Sequence, residues 1–412
     1  MKNSLLFAAI IFGFAASANA QEIPVCVTDA TIHAVDQPTF VGTVCWQGGI
    51  ITDVGTSVVV PASATSMDGS GLVVTPGLIA VSTGIGVVEI EYEASTVDQS
   101  IETLDPVRAA FRVADGYNPL SSLIPIARSG GVTSTLVLPY GGTIAGIGSW
   151  VSLGEEPWPA AEAPPESALV LSYDSATADA VGGARGELML RFRSLFADVQ
   201  AWMANESGYE TAQMRELSVE YVDLPILQRF LEGTLPGWVR ANQVSDMRAV
   251  LRLAAEHGFS VTIEGGSEAW AMADELAQAQ VTVVVQVMDN LPWTFEHLGA
   301  RSDNAALLHA AGVPVVIAVT DSHNARTLRY HAGNAVRAGL PWDAALAAIT
   351  QNAAQVSGVG DSVGTLTAGK RADIAIWTGD PFEFSTALQT LFIAGVEPPS
   401  GDRQEALFER YR

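Results

Sequence analysis

The sequence predicts an α/β protein: a (β/α)8 TIM-like barrel carrying a small β-domain assembled from both ends of the chain. Three observations lead there. The 412 residues are 48% hydrophobic and only 16% charged, which excludes intrinsic disorder and supplies a core larger than one average domain needs. From about residue 236, short apolar runs alternate with helical stretches. Both ends of the chain carry β-type runs broken by glycine.

Residues 1–20 combine Lys2, an apolar run from Leu5 to Ala16 and the small-x-small end Ala18-Asn19-Ala20. This reads as a secretory signal cleaved before Gln21, the run being too short for a spanning anchor. No cysteine sits at the cut, so a lipid anchor is not expected. The expected location is the bacterial periplasm.

Residues 21–70 form the first part of the small domain, with β-type runs at Pro24–Val27, Phe40–Trp46, Ile50–Val54 and Val58–Val60. The two cysteines, Cys26 and Cys45, leave both a bridge and two buried thiols open. An oxidising compartment permits the bridge. A hairpin turning near Asp36–Thr39 would set Cys45 opposite roughly residue 30 instead. The uncharged stretches Gly71–Val88 and Ser129–Gly154 are long enough to span a bilayer. Their Gly, Ser, Thr and Pro content reads as buried strands and turns, so no membrane span is expected after signal cleavage.

Residues 71–361 are assigned to the barrel, about 290 residues being what a closed (β/α)8 barrel requires. Glu187–Ala204 carries a helical apolar stripe, and Glu155–Ser167 is an acidic, proline-rich loop. Strands are expected at Gly237–Ala241, Ser260–Ile263, Val281–Val287 and Val313–Val319. Helices follow from Ser245 to His257, after Ser267, over Ser302–Ala311 and from Asn324 to Ala338. Residues 362–412 return to β-patterning at Ala372–Trp377 and Thr390–Ala394, rejoining the N-terminal sheet.

Lys plus Arg number 21 against 45 Asp plus Glu, a net charge of −24. Nucleic acid and anionic membrane surfaces are poor partners for such a chain. Lysine occurs only as Lys2 and Lys370. No G-x-S-x-G nucleophile elbow follows an expected barrel strand. The glycine-rich Gly141–Gly148 lacks the lysine of a phosphate-binding loop and reads as a turn after a barrel strand.

Two stretches carry a specific resemblance. Val74-Thr75-Pro76-Gly77-Leu78-Ile79 resembles the segment that opens the barrel in the amidohydrolase superfamily. Leu366-Thr367-Ala368-Gly369-Lys370-Arg371-Ala372-Asp373-Ile374-Ala375-Ile376-Trp377, with Asp380-Pro381, resembles that superfamily's return to its β-sandwich. The likeness covers nearly the whole mature chain and is greatest to the imidazolonepropionase-like branch. It implies a small discontinuous β-sandwich beside the barrel, and a metal-dependent hydrolase of non-peptide C–N bonds, often in cyclic amides. Zinc or another divalent metal would activate water there.

Against that pattern, the paired histidines that should follow Ile79 are replaced by Ser82 and Gly84. The fifth-strand histidine aligns with Arg240 and the sixth-strand one with Glu264. A carbamylated lysine is excluded, since Lys370 lies in the wrong region. The eighth-strand aspartate aligns with Asp321.

The candidate catalytic residues are therefore Asp321, Glu264 and Arg240, and the candidate metal ligands Asp321, His323 and Glu264. Each has a structural alternative. Asp321 could cap the helix near Asn324. Glu264 and Glu268 could complement a helix dipole. Arg240 could be an exposed strand-end arginine, or could pair with Glu264 or Asp321 where the metal stood. His257 and His309 sit in last helical turns and suit carbonyl capping.

Two functions follow. One is a hydrolase with an altered site around a single ion. The other is a metal-free pseudoenzyme that binds a small-molecule ligand, forms a homo-oligomer or pairs with an intact relative. The substitutions favour the second mechanistically, and no cofactor is expected in it; ancestry favours a hydrolase.

Overall fold

The computed structural model describes residues 23–100, 106–154, 165–289, 291–399, 401 and 403–412. The export signal expected at 1–20 and most of the acidic loop 155–167 lie outside them.

The N-terminal strands are β1 (Val25–Ile32), β2 (Phe40–Gln47), β3 (Ile50–Gly55), β4 (Thr65–Asp68) and β5 (Val73–Pro76). β1, β2 and β3 form an antiparallel meander. β1 then forks, pairing in parallel with β4 through Val25–Thr28 and with β5 through Thr31 and Ile32. Val58–Val60, expected as a strand, is irregular instead. Val59 is exposed, and Pro61 cannot donate to a ladder.

Cys26 and Cys45 are register partners and form a disulfide with Cα atoms 4.1 Å apart. The expected offset is corrected by two features. The β1–β2 loop is centred on Asp36, earlier than the turn expected at Asp36–Thr39. A bulge between Val27 and Ala30 absorbs a further residue.

Pro76 leads through Gly77 straight into the barrel. A Cβ on Gly77 would lie 2.2 Å from Thr133, so only glycine lets the two sheets join this closely. The barrel strands are β6 (Leu78–Thr83), β7 (Val132–Val137), β8 (Ile144–Ser152), β9 (Glu166–Ser172), β10 (Gly237–Ala241), β11 (Val261–Gly265), β12 (Thr282–Val285) and β13 (Val315–Ile317). They form one eight-stranded sheet in sequence order, with β6 and β13 at its ends.

Residue alternation explains the continuous apolar strands. Ile79, Val81, Val170, Trp238, Val284 and Val316 pack together on one face. Their neighbours Leu78, Ala80, Leu171, Val239, Val283 and Val315 pack with the helices on the other. Both faces are buried, so no polar alternation survives in the sequence.

Strict β/α alternation fails at β8. β7 and β8 are joined by a short turn with no helix between them, so they run antiparallel, as do β8 and β9. The remaining neighbours are parallel. After the barrel, β14 (Ile374–Trp377) and β15 (Leu388–Phe392) return to the first sheet, with β14 antiparallel to β5. The small domain is thus one hydrogen-bonded seven-stranded sheet drawn from both ends of the chain. Among the described residues no helix is long and apolar enough to cross a membrane.

Candidate active site at the carboxyl ends of the barrel strands

A cavity of about 350 Å³ opens where β6, β10, β11 and β12 end, within the size range of small-molecule sites. Its floor follows from register. Arg240 of β10 and Glu264 of β11 are direct partners on adjacent parallel strands. Both share the inward parity of Trp238, so their side chains meet. Arg240 Nε donates to Glu264 Oε2 at 3.0 Å, and Trp238 Nε1 donates to the same oxygen at 2.7 Å. The other carboxylate oxygen, Oε1, accepts from Ser82 Oγ in a short hydrogen bond. Glu264 is 4% exposed. Burial of its carboxylate is offset by three donors, one of them cationic.

Arg240 is fixed from its other side. Its Nη1 and Nη2 donate to the Pro139 carbonyl at 3.3 Å each, and the guanidinium lies 4.9 Å from the centre of the Tyr140 ring. The pairing of Arg240 with Glu264, one of the arrangements open in the sequence, is the one present.

The other candidates lie elsewhere. β13 ends at Ile317, and Asp321 begins a 3-10 turn over Ser322–Thr327. Its Oδ1 accepts from the His323 amide at 2.9 Å and its Oδ2 from Asn324 Nδ2 at 2.6 Å. The carboxylate is spent as an N-cap, exposed, and neither Asp321 nor His323 lines the cavity. Thr320 does so instead. Glu268 accepts from the Val244 amide at 3.1 Å, at the start of the Val244–His257 helix. The expected clustering of Asp321, His323 and Glu264 is therefore absent. Among the described residues no three His, Cys, Asp or Glu side chains gather in a way that could hold a metal.

The two positions aligned with the paired histidines are also committed. Ser82 is the extra residue of a bulge in β6, held at φ +58°. The Gly84 amide donates to Ser322 Oγ at 2.8 Å. A Cβ at Gly84 would lie 2.8 Å from Val88 and 2.9 Å from Gln99, so an imidazole has no room there.

Sequence reasoning missed most of the outer wall, which includes Tyr140, Asp174, Asn242, Asp289 and His297. Asp174, Asn242, Asp289 and His297 lie on connections from a strand to the next helix, and Tyr140 lies in the turn between β7 and β8. Their one sequence signal is position: each follows the end of a barrel strand. The β12 loop is tied down by a charged cluster. Arg185 Nε bonds Asp246 Oδ1 at 2.6 Å while Arg185 Nη2 contacts Glu296, which also accepts from the Ser175 amide. Burial pushes the Asp246 carboxyl above the usual range, and the Arg185 hydrogen bond opposes that rise.

The profile of the amidohydrolase family matches residues 243–397. Amidohydrolase tasK of Hapsidospora irregularis is 24% identical over 391 residues, covering 86% of this chain and 40% of that protein. An imidazolonepropionase of Aromatoleum aromaticum is 43% identical over 81 residues, 18% of this chain and 19% of its own. The chain thus spans less than half the length of the curated relatives it matches. Among solved structures, an amidohydrolase from Thermotoga maritima superposes with a TM-score of 0.81 at 24% identity, covering 92% of this chain and 100% of that one. A prolidase complexed with N-methylphosphonate-L-proline gives 0.55 at 15%, again over 92% and 100%. At these identities the structural likeness is one of fold.

Proposed function

We propose, from the premise that this chain belongs to the amidohydrolase superfamily, that it hydrolyses non-peptide C–N bonds in small amides, cyclic ones included. Members of the superfamily usually hold a divalent metal, which activates water. The residues present here do not fit that group. Ser82 and Glu264 are bonded to each other, Arg240 supplies the positive charge beside the carboxylate, and Val88, Gln99 and Ser322 fill the space at Gly84.

The single observation that carries the reading is the Ser82–Glu264–Arg240 set at the floor of a cavity on the face where this architecture performs chemistry. A small polar amide suits it. The guanidinium is a fixed donor for a carbonyl oxygen, and Glu264 Oε1 is an acceptor within reach of an exchangeable proton. The Cys26–Cys45 disulfide supports export to an oxidising compartment such as the periplasm.

The test is to assay the purified protein against linear and cyclic amides, reading amine release or ring opening with and without a chelator, alongside elemental analysis. Turnover that persists under chelation, with far less than one zinc per chain, is expected. Turnover abolished by chelation and restored by zinc would overturn the metal-free part. Ligand binding without turnover of any amide would favour the pseudoenzyme, acting alone or beside an intact relative.

A further inference from the structure

We infer that Ser82 is a nucleophile, with Glu264 as its general base, so that hydrolysis passes through an ester on the Ser82 oxygen. The inference rests on the hydrolase reading above and replaces a metal-bound water with a side-chain oxygen. Three observations converge on Ser82. It lines the cavity floor although it is only 5% exposed. It is a non-glycine residue at φ +58°, a conformation that L side chains adopt at a cost. The bulge responsible lies between Val81 and Thr83 at the end of β6, and bulges of this kind re-aim side chains beside active sites.

The third observation is where the hydroxyl points. Its Oγ donates to Glu264 Oε1. The two strong donors, Arg240 Nε and Trp238 Nε1, both occupy Oε2. The carboxylate is thereby oriented from one oxygen, leaving the other to accept the serine proton. This is the nucleophile–base–orienter arrangement that covalent hydrolases share. Arg240 has five N–H groups, and its bonds to Glu264 and Pro139 leave some over for an oxyanion.

In the first step Oγ bonds to the carbonyl carbon while its proton passes to Glu264 Oε1. The C–N bond then breaks, and the nitrogen departs with that proton. In the second step water attacks the ester, again giving a proton to Glu264. The Oγ–C bond breaks and Oγ recovers the proton. The sum is amide plus water giving acid plus amine, with no oxidant or further reactant.

The experiment uses two acylating or phosphonylating probes that need no knowledge of the substrate: a fluorophosphonate and p-nitrophenyl acetate. The full chain is treated, then weighed intact and mapped by peptide mass. Stoichiometric modification of the Ser82 peptide is expected. Ser82→Gly, which suits the positive φ and so preserves the fold, should lose the modification entirely. Glu264→Gln should slow it by about 100-fold or more. Modification at another residue, undiminished modification of Ser82→Gly, or none by either probe would overturn the inference. Amide turnover unchanged in Ser82→Gly would also sink it while leaving the hydrolase reading intact. Labelled Ser82 without any amide turnover would do the reverse.

Discussion

At the scale of single residues, Arg240 and Glu264 decide what the barrel mouth contains. Removing the guanidinium while leaving the carboxylate strands a buried charge, so Arg240→Met should destabilise the fold by about 3–5 kcal/mol. Glu264→Gln added to Arg240→Met should recover much of that loss. Urea titration of the three proteins checks both, and a cost under about 1 kcal/mol for Arg240→Met would show the pair to be solvent-screened. Ser82 offers a separate backbone test. Because its φ is +58°, Ser82→Gly should be more stable than Ser82→Ala by about 1–2 kcal/mol, read from thermal melts. Part of this site was legible in the sequence: Arg240 and Glu264 follow apolar runs whose register brings them together. Asp321 was not legible, because a strand-end aspartate looks the same whether it faces a cavity or caps the next turn. The chain leaves β13 at Ile317, and the intervening residues set that orientation.

At the scale of elements, the helices and the parallel strands from β10 to β13 follow from patterns a sequence displays: long apolar stripes and β-type runs between them. The β7–β8 hairpin did not. Its strands are buried on both faces, and its Gly141-Gly142 turn resembles any loop after a barrel strand. Only the absence of an intervening helix signals the reversed direction. The Cys26–Cys45 pairing depended likewise on a loop centre and a bulge that composition does not reveal. The bridge closes a loop of 19 residues' separation. Cys26→Ser with Cys45→Ser should therefore cost about 3 kcal/mol, seen as a lower urea midpoint than the oxidised parent. Equal midpoints would mean that the surrounding strands already restrict the unfolded hairpin.

At the scale of the whole molecule, buried histidines contribute to acid sensitivity. Burial lowers the pKa of His33, His257 and His331 below 6.5. A histidine lowered in the fold contributes stability above its unfolded value, and that stability is lost as pH falls through the lowered one. Melting temperature should thus drop between about pH 7 and about pH 5. His257→Phe, which keeps a ring against Phe196, should flatten the drop. Asp246, raised by burial, acts in the opposite sense: its contribution is present below its unfolded value of 3.8 and fades as pH rises through the raised one. A pH profile identical in His257→Phe and parent would remove His257 from the account. The seven-stranded sheet has a consequence for the order in which the molecule is made. β1, β2 and β3 are contiguous and their disulfide lies within one hairpin, so this half can form before the rest of the chain has folded. β14 pairs with β5 only across the whole intervening barrel. Until the last strands emerge, β5 is an unprotected edge, and the maturing chain must carry that sticky border through most of its assembly.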